Sequence, residues 1–167
     1  MRILVTFGSS RGGTEGLAQM VGDALREQGA TVDVLPPRQV KHLDGYDAVV
    51  VGGALYAFRW HRDARHFVKR HNKELRDRPT FFFSSGPLDA SARERVIPPV
   101  KGVQALMTEI GARGHETFGG RLTPDARGFV ASKMAVKHSG DWRDPAHVRE
   151  WTQTVTAAMQ MPELVPA

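Results

Sequence analysis

Three short stretches of this chain are apolar without a break: residues 2–7 (with Ile3-Leu4-Val5-Thr6-Phe7), 48–53 (Ala48-Val49-Val50-Val51-Gly52-Gly53) and 80–84 (Thr80-Phe81-Phe82-Phe83-Ser84). A strand with one face in water alternates polar and apolar residues. A strand that does not alternate is covered on both faces, the condition of a parallel sheet packed between helices. The intervening segments supply those helices. Leu17, Ala18, Val21, Ala24 and Leu25 recur at helical spacing and end at Gly29, a C-terminal cap residue. Residues 31–35 read as a second strand, stopped by Pro36-Pro37, and residues 61–76 as one helix with a thin apolar side of Ala64, Phe67 and Val68.

The second half continues the alternation. Residues 88–99 read as a loop, and Val103, Leu106, Met107 and Ile110 mark a helix that closes at Gly111 or Gly114. Residues 116–122 read as a fifth strand weakened by Gly119-Gly120, and residues 127–138 as a short extra helix. Asp144-Pro145 opens a last helix with Val148, Trp151, Thr152, Val155, Ala158 and Met159 inward, and the tail beyond Met161 is expected to fray. The expected fold is α/β, a three-layer sandwich around a five-stranded parallel sheet in the order 2-1-3-4-5. Residues 1–167 suit a single domain. Ligands of such sheets bind beyond the carboxyl ends of the strands, so the loops after strands 1, 3 and 4 are the ones to inspect.

Composition narrows the class of function. With 41% hydrophobic and 25% charged residues the chain is not a disordered one. No apolar run approaches the ~18 residues of a membrane span, and the apolar stretch at the N-terminus is too short for a signal peptide, so a cytoplasmic protein is expected. Cysteine is absent, which excludes disulfides, thiolate metal sites and Cys nucleophiles. His61, His66 and His71 are five residues apart, a spacing that does not share one helix face, so no metal is expected there. The net charge of +5 has one source: residues 59–78 hold Arg59, Arg62, Arg65, Lys69, Arg70, Lys73, Arg76 and Arg78 against Asp63, Glu74 and Asp77. Such a segment is either a solvated helix face or a surface for an anionic substrate, partner or lipid. No nucleic-acid motif accompanies it.

The loop after strand 1 carries the chemistry. Gly8-Ser9-Ser10-Arg11-Gly12-Gly13-Thr14 joins a strand directly to a helix, and glycines, hydroxyls and helix N-terminal N–H groups together make an anion site. Gly8 and Gly13 have the Walker spacing, but Thr14 stands where that loop needs Lys, which argues against nucleotide hydrolysis. The dinucleotide pattern G-x-G-x-x-G has no register here, since position 10 is Ser. The run Phe7-x-Ser9-x-x-Gly12-x-Thr14-x-x-x-Ala18-x-x-Val21 resembles the FMN-phosphate signature of flavodoxins. The resemblance implies an FMN cofactor with its phosphate wrapped by Ser9, Ser10, Arg11, Gly12, Gly13 and Thr14. A flavin also needs a planar slot. Ala54, Leu55, Tyr56 and Trp60 after strand 3 and Ser84, Ser85 and Gly86 after strand 4 are the candidates, the small residues giving close backbone approach and the aromatics flanking the ring. Arg59 and His61 are candidates to balance charge there.

Further stretches extend the resemblance over most of the chain. Tyr46 through Ala54 running on to Trp60-His61, then Phe67 through His71 with Leu75, then Gly120-Arg121-Leu122 with Lys133 through Asp141 and Trp151, are similar to the bacterial menaquinone-dependent protoporphyrinogen IX dehydrogenase family. That likeness implies a flavodoxin-like oxidoreductase passing electrons from a porphyrinogen-like or other anionic donor to a quinone, at the inner face of a membrane, with residues 122–141 as its substrate- or membrane-contacting insertion. Two alternatives stand beside it: a small flavodoxin-type electron carrier, and a flavin-free binding module of the same fold. The basic charge weighs against the carrier, since flavodoxins are typically acidic. No catalytic acid or base is singled out, because a flavin enzyme draws its reactivity from the cofactor.

Overall fold

The computed structural model describes residues 1–124 and 139–160. Its elements, in chain order, are β1 (Arg2–Gly8), α1 (Gly13–Glu27), β2 (Thr31–Leu35), a 3-10 turn (Pro37–Gln39), β3 (Ala48–Tyr56), β4 (Arg59–Trp60), α2 (Arg62–Arg70) and α3 (Asn72–Arg76). They continue with β5 (Thr80–Ser85), α4 (Ser91–Glu94), α5 (Lys101–Ile110), β6 (Gly114–Phe118), β7 (Arg121–Leu122), β8 (Gly140–Asp141) and α6 (Pro145–Gln160). The main sheet runs β2-β1-β3-β5-β6, all neighbours parallel, which is the expected order 2-1-3-4-5 for the five long strands. Among the described residues no helix is long and apolar enough to cross a membrane.

The unbroken apolar runs are explained by two cores on opposite faces. Ile3, Val5, Phe7, Val50, Phe81 and Phe83 face a layer built from Leu17, Val21 and Leu25 of α1 and Val148, Trp151 and Val155 of α6. Leu4, Val49, Val51 and Phe82 face Phe67, Val68 and Leu75 together with Val103, Leu106 and Ile110 of α5. Each such side chain, fully buried, contributes roughly 1.5–3 kcal/mol of transfer free energy, so the alternate residues of one strand stabilise both layers.

Gly52 and Gly53 serve this packing. A Cβ on Gly52 would lie 2.0 Å from the Phe83 ring, and one on Gly53 would lie 2.6 Å from the Trp60 indole. The space above these two glycines is filled by two core aromatics, one on each face of β3.

The structure departs from the expected elements in four places. The helix expected over 61–76 is broken at His71, whose buried Nδ1 pairs with Glu74 Oε1 at 2.7 Å while Glu74 also accepts the Leu43 N–H at 3.0 Å. The loop expected over 88–99 contains the four-residue helix α4, where Asp89 accepts the Ser91 N–H at 2.9 Å. The fifth parallel strand begins at Gly114 and stops at Phe118, because Gly119 has Trp142 backbone against its Cα: a Cβ there would lie 2.1 Å from the Trp142 carbonyl. Arg121–Leu122 pairs instead with Gly140–Asp141 as a separate antiparallel ribbon. The β3–β4 hairpin has no counterpart in the sequence reading; it turns through Ala57 (φ 47°) and Phe58 (φ 61°), two left-handed residues that are not glycine. The extra helix expected over 127–138 lies outside the described residues.

Candidate functional site

A cavity of about 540 Å³ opens at the carboxyl ends of β1, β3 and β5, where the sheet order reverses. Its walls come from three loops. The loop after β1 gives Ser9, Arg11, Gly13 and Thr14, the end of β3 gives Ala54, Leu55 and Tyr56, and the end of β5 gives Ser85 and Gly86. Sequence reasoning missed Ala57, Leu88 and Asp89, and it missed Gly120 and Arg121 as site residues, while Leu122 entered it only as the first residue of the insertion that the resemblance implies. The last three follow β6, and extending the strand-end rule by one more strand finds them.

The β1–α1 loop is shaped to receive an anion. Gly12 caps α1 in the left-handed conformation (φ 74°) with no side-chain hydrogen bond, and space for a Cβ is open around it, so backbone conformation is what demands glycine. An uncapped helix N-terminus leaves its first N–H groups without intrahelical partners and carries the positive end of the helix dipole. Thr14 is only 2% exposed yet lines the cavity. Among the described residues nothing accepts from or donates to its hydroxyl. The Arg11 guanidinium lies 5.1 Å over the Tyr56 ring, closing the rim between the first and second loops.

Ser10 and Gly12 do not line the cavity, although both belong to its loop. Ser10 Oγ is 2.7 Å from His61 Nε2, and His61 Nδ1 accepts the Asp63 N–H at 3.2 Å as the cap of α2. Accepting at Nδ1 requires the neutral imidazole to carry its proton on Nε2, which therefore donates to Ser10. Burial pushes the His61 pKa down, Arg62 and Arg65 push it the same way, and Asp63 opposes them. The ring thus stays neutral at pH 7 and ties the β1–α1 loop to the start of α2.

Trp60 and Ser84 are also set back from the cavity. Trp60 is 2% exposed, stacks at 4.9 Å on Phe82, and donates its indole N–H to Ser84 Oγ at 3.0 Å. Trp60 therefore supports the cavity floor and does not flank a ligand, because the Gly53 gap draws it into the core. Ser84, having accepted from Trp60, gives its proton to His115 Nε2 at 2.8 Å. Burial pushes His115 down to about 4, which keeps it the neutral acceptor this bond needs. The relay joins β4, β5 and β6 through the residue next to Ser85, which does line the cavity. Arg59 lies on β4 at the exposed surface, while His66 faces away from this cavity and His71 is the buried partner of Glu74.

Comparison with known proteins agrees with this geometry. A family model described as a flavodoxin domain matches residues 4–138. The protoporphyrinogen IX dehydrogenase (quinone) of Escherichia coli K12 is 29% identical over 86 residues, covering 50% of this chain and 48% of that protein. The same protein of Escherichia coli O157:H7 matches equally, so the chain spans about half the length of the curated relatives it matches. Among solved structures, a variant flavodoxin from Pseudomonas aeruginosa superposes with a TM-score of 0.63 at 16% identity, over 96% of this chain and 100% of that one. Oxidised flavodoxin 1 from Bacillus cereus gives 0.62 at 14% identity, over 97% and 100%. These structural likenesses speak to the fold, and the family model to descent: the chain belongs to the flavodoxin-domain family.

Proposed function

We propose that this protein binds FMN in the cavity at the carboxyl edge of its sheet and acts as an oxidoreductase through it. The observation that carries the proposal is Thr14, a residue only 2% exposed that lines the cavity and whose hydroxyl has no protein partner among the described residues, beside an uncapped helix N-terminus. Those are the donors a phosphate needs, and no Lys competes for the position a nucleotide-hydrolysing loop would give it. Ser9, Arg11, Gly13 and Thr14 would hold the phosphate. Ser10 and Gly12 would shape the loop, Ser10 through His61. Ala54, Leu55 and Tyr56 on one side and Ser85 and Gly86 on the other would enclose the ring. Trp60 and Ser84 would set the floor.

Bound FMN supplies the electron-transfer chemistry. The residues lining the cavity would hold it and would place the ends of β3 and β5 beside it. The finer reading is a dehydrogenase that takes electrons from a porphyrinogen-like or other anionic donor and delivers them to a quinone. It is supported by the 86-residue likeness to protoporphyrinogen IX dehydrogenase and by the basic segment 59–78, which suits an anionic substrate or a peripheral position on an anionic membrane face. A freely diffusing flavodoxin-type carrier is the competing reading, and the +5 charge weighs against it. The test is a turnover screen of the FMN-loaded protein with porphyrinogens, quinones and nicotinamides. Porphyrinogen oxidation coupled to quinone reduction is expected. Reduction of a small redox protein with no turnover of either small molecule would favour the carrier.

A further inference from the structure

A second cavity, of about 410 Å³, lies between the 3-10 turn after β2 and one face of α2, and it shares no lining residue with the first. Its floor is Pro37 and the buried Phe67, and its walls carry Arg38 from the turn and Arg62, His66 and Arg70 from the helix. The three helix residues are four apart in sequence, so they stack along a single face. Nothing in the core requires these three side chains, since Arg62, His66 and Arg70 are all exposed.

One carboxylate answers this group. Asp63 lies 3.9 Å from Arg38 Nη2 and 3.7 Å from Arg62 Nε. Both distances exceed those of a charge-assisted hydrogen bond, so Asp63 gathers the two guanidinium groups at the rim without consuming their donors. Among the described residues Arg70 and His66 have no acidic partner. The cavity lining therefore carries three guanidinium groups and an imidazole against one carboxylate, beside the apolar Pro37 and Phe67.

We propose that this cavity is a binding site for the phosphate group of a small phosphorylated molecule, separate from the FMN site. A phosphate carries two charges on one tetrahedral head, so it can accept from Arg38 on one wall and Arg62 or Arg70 on the other. A single carboxylate satisfies one fork and leaves the opposite wall uncompensated. The volume exceeds what a phosphate fills and leaves room for an organic body over Pro37 and Phe67. The proposal does not depend on the flavin reading, because the two cavities are separate.

The test is an amide NMR titration of the protein in excess FMN, at about 20 mM salt to limit screening, with inorganic pyrophosphate and then ADP as probes. Both should move amides of residues 37–39 and 62–70 with Kd below about 1 mM, ADP at least as tightly as pyrophosphate. Arg38→Gln and Arg70→Gln should each weaken binding about tenfold, the usual loss of a charge-assisted hydrogen bond. Both positions are solvent-exposed, and unchanged amide shifts elsewhere in each variant would verify the fold. Unmoved amides at these positions, wild-type affinity in both variants, exclusion of ADP, or equal affinity for citrate would each overturn the assignment.

Discussion

Replacing Thr14 by Val should weaken ligand binding while leaving intrinsic stability nearly unchanged. The substitution keeps the β-branched shape and removes only the hydroxyl. Thr14 as a residue is 2% exposed and its hydroxyl has no partner among the described residues, but it is not one of their fully buried unpaired polar atoms, which are Thr6 Oγ1 and His71 Nε2, so it keeps contact with the cavity solvent and bears little desolvation penalty. Removing it should change the stability of the ligand-free protein by less than about 1 kcal/mol. With FMN bound, the same hydroxyl would donate to a phosphate oxygen, and a hydrogen bond to a charged acceptor contributes about 1.5–3 kcal/mol. The FMN dissociation constant should therefore rise by roughly ten- to a hundredfold. Flavin fluorescence titration reads the affinity, and urea denaturation of the flavin-free protein reads the stability. Unchanged FMN affinity would remove Thr14 from the phosphate site. Destabilisation of the flavin-free protein by more than about 1 kcal/mol would show that its hydroxyl is structurally bonded, and the reasoning would fail.

Other substitutions probe the frame around the site. The double change Ala57→Asn with Phe58→Gly supplies the residues a type I′ turn prefers and relieves two left-handed non-glycine positions; it should stabilise by about 1–2 kcal/mol, and a lower thermal midpoint would contradict this. Gly52→Ala places a methyl against the Phe83 ring and should cost about 1–3 kcal/mol in urea denaturation, with no loss meaning that the ring moves freely. His115 is held neutral by burial, its pKa pushed down to about 4, so the unfolded chain takes up that proton first as pH falls. Stability should drop as pH goes from about 6.5 toward 4, by up to about 3 kcal/mol, and then level off. The difference between wild type and His115→Gln isolates that slope, and parallel pH profiles would refute it.

The sheet was legible because burial on both faces leaves a direct trace: Ile3-Leu4-Val5, Ala48 through Val51 and Phe81-Phe82-Phe83 lack alternation, and each serves two cores. The anion loop was legible for a similar reason. Glycines and hydroxyls between a strand and a helix exceed what a turn needs, and Ser9, Gly13 and Thr14 reach the cavity. What the sequence hid depends on distant partners. Trp60 reads as an exposed aromatic beside a ligand until Gly53 is seen to open a gap for its indole. The β3–β4 hairpin is invisible because Ala57-Phe58 lacks the Asn or Gly that marks such a turn. His71 looks like one more position in a basic helix, yet it is buried, bonded to Glu74, and sits at the interruption between α2 and α3. Clustering of charge was readable, but its division was not: Arg59 lies on β4, whereas Arg62 and Arg70 join Arg38 around a separate cavity.

The central claim is that the β1–α1 loop binds a flavin by its phosphate, and comparing FMN with riboflavin tests it most directly. The two ligands share the ring and differ in the phosphate that Ser9, Arg11, Gly13 and Thr14 are placed to hold. Fluorescence titration of the flavin-free protein should show FMN binding at least about a hundredfold more tightly than riboflavin, the effect of losing two or more charge-assisted hydrogen bonds. Equal affinity for the two, or binding of neither, would contradict the account.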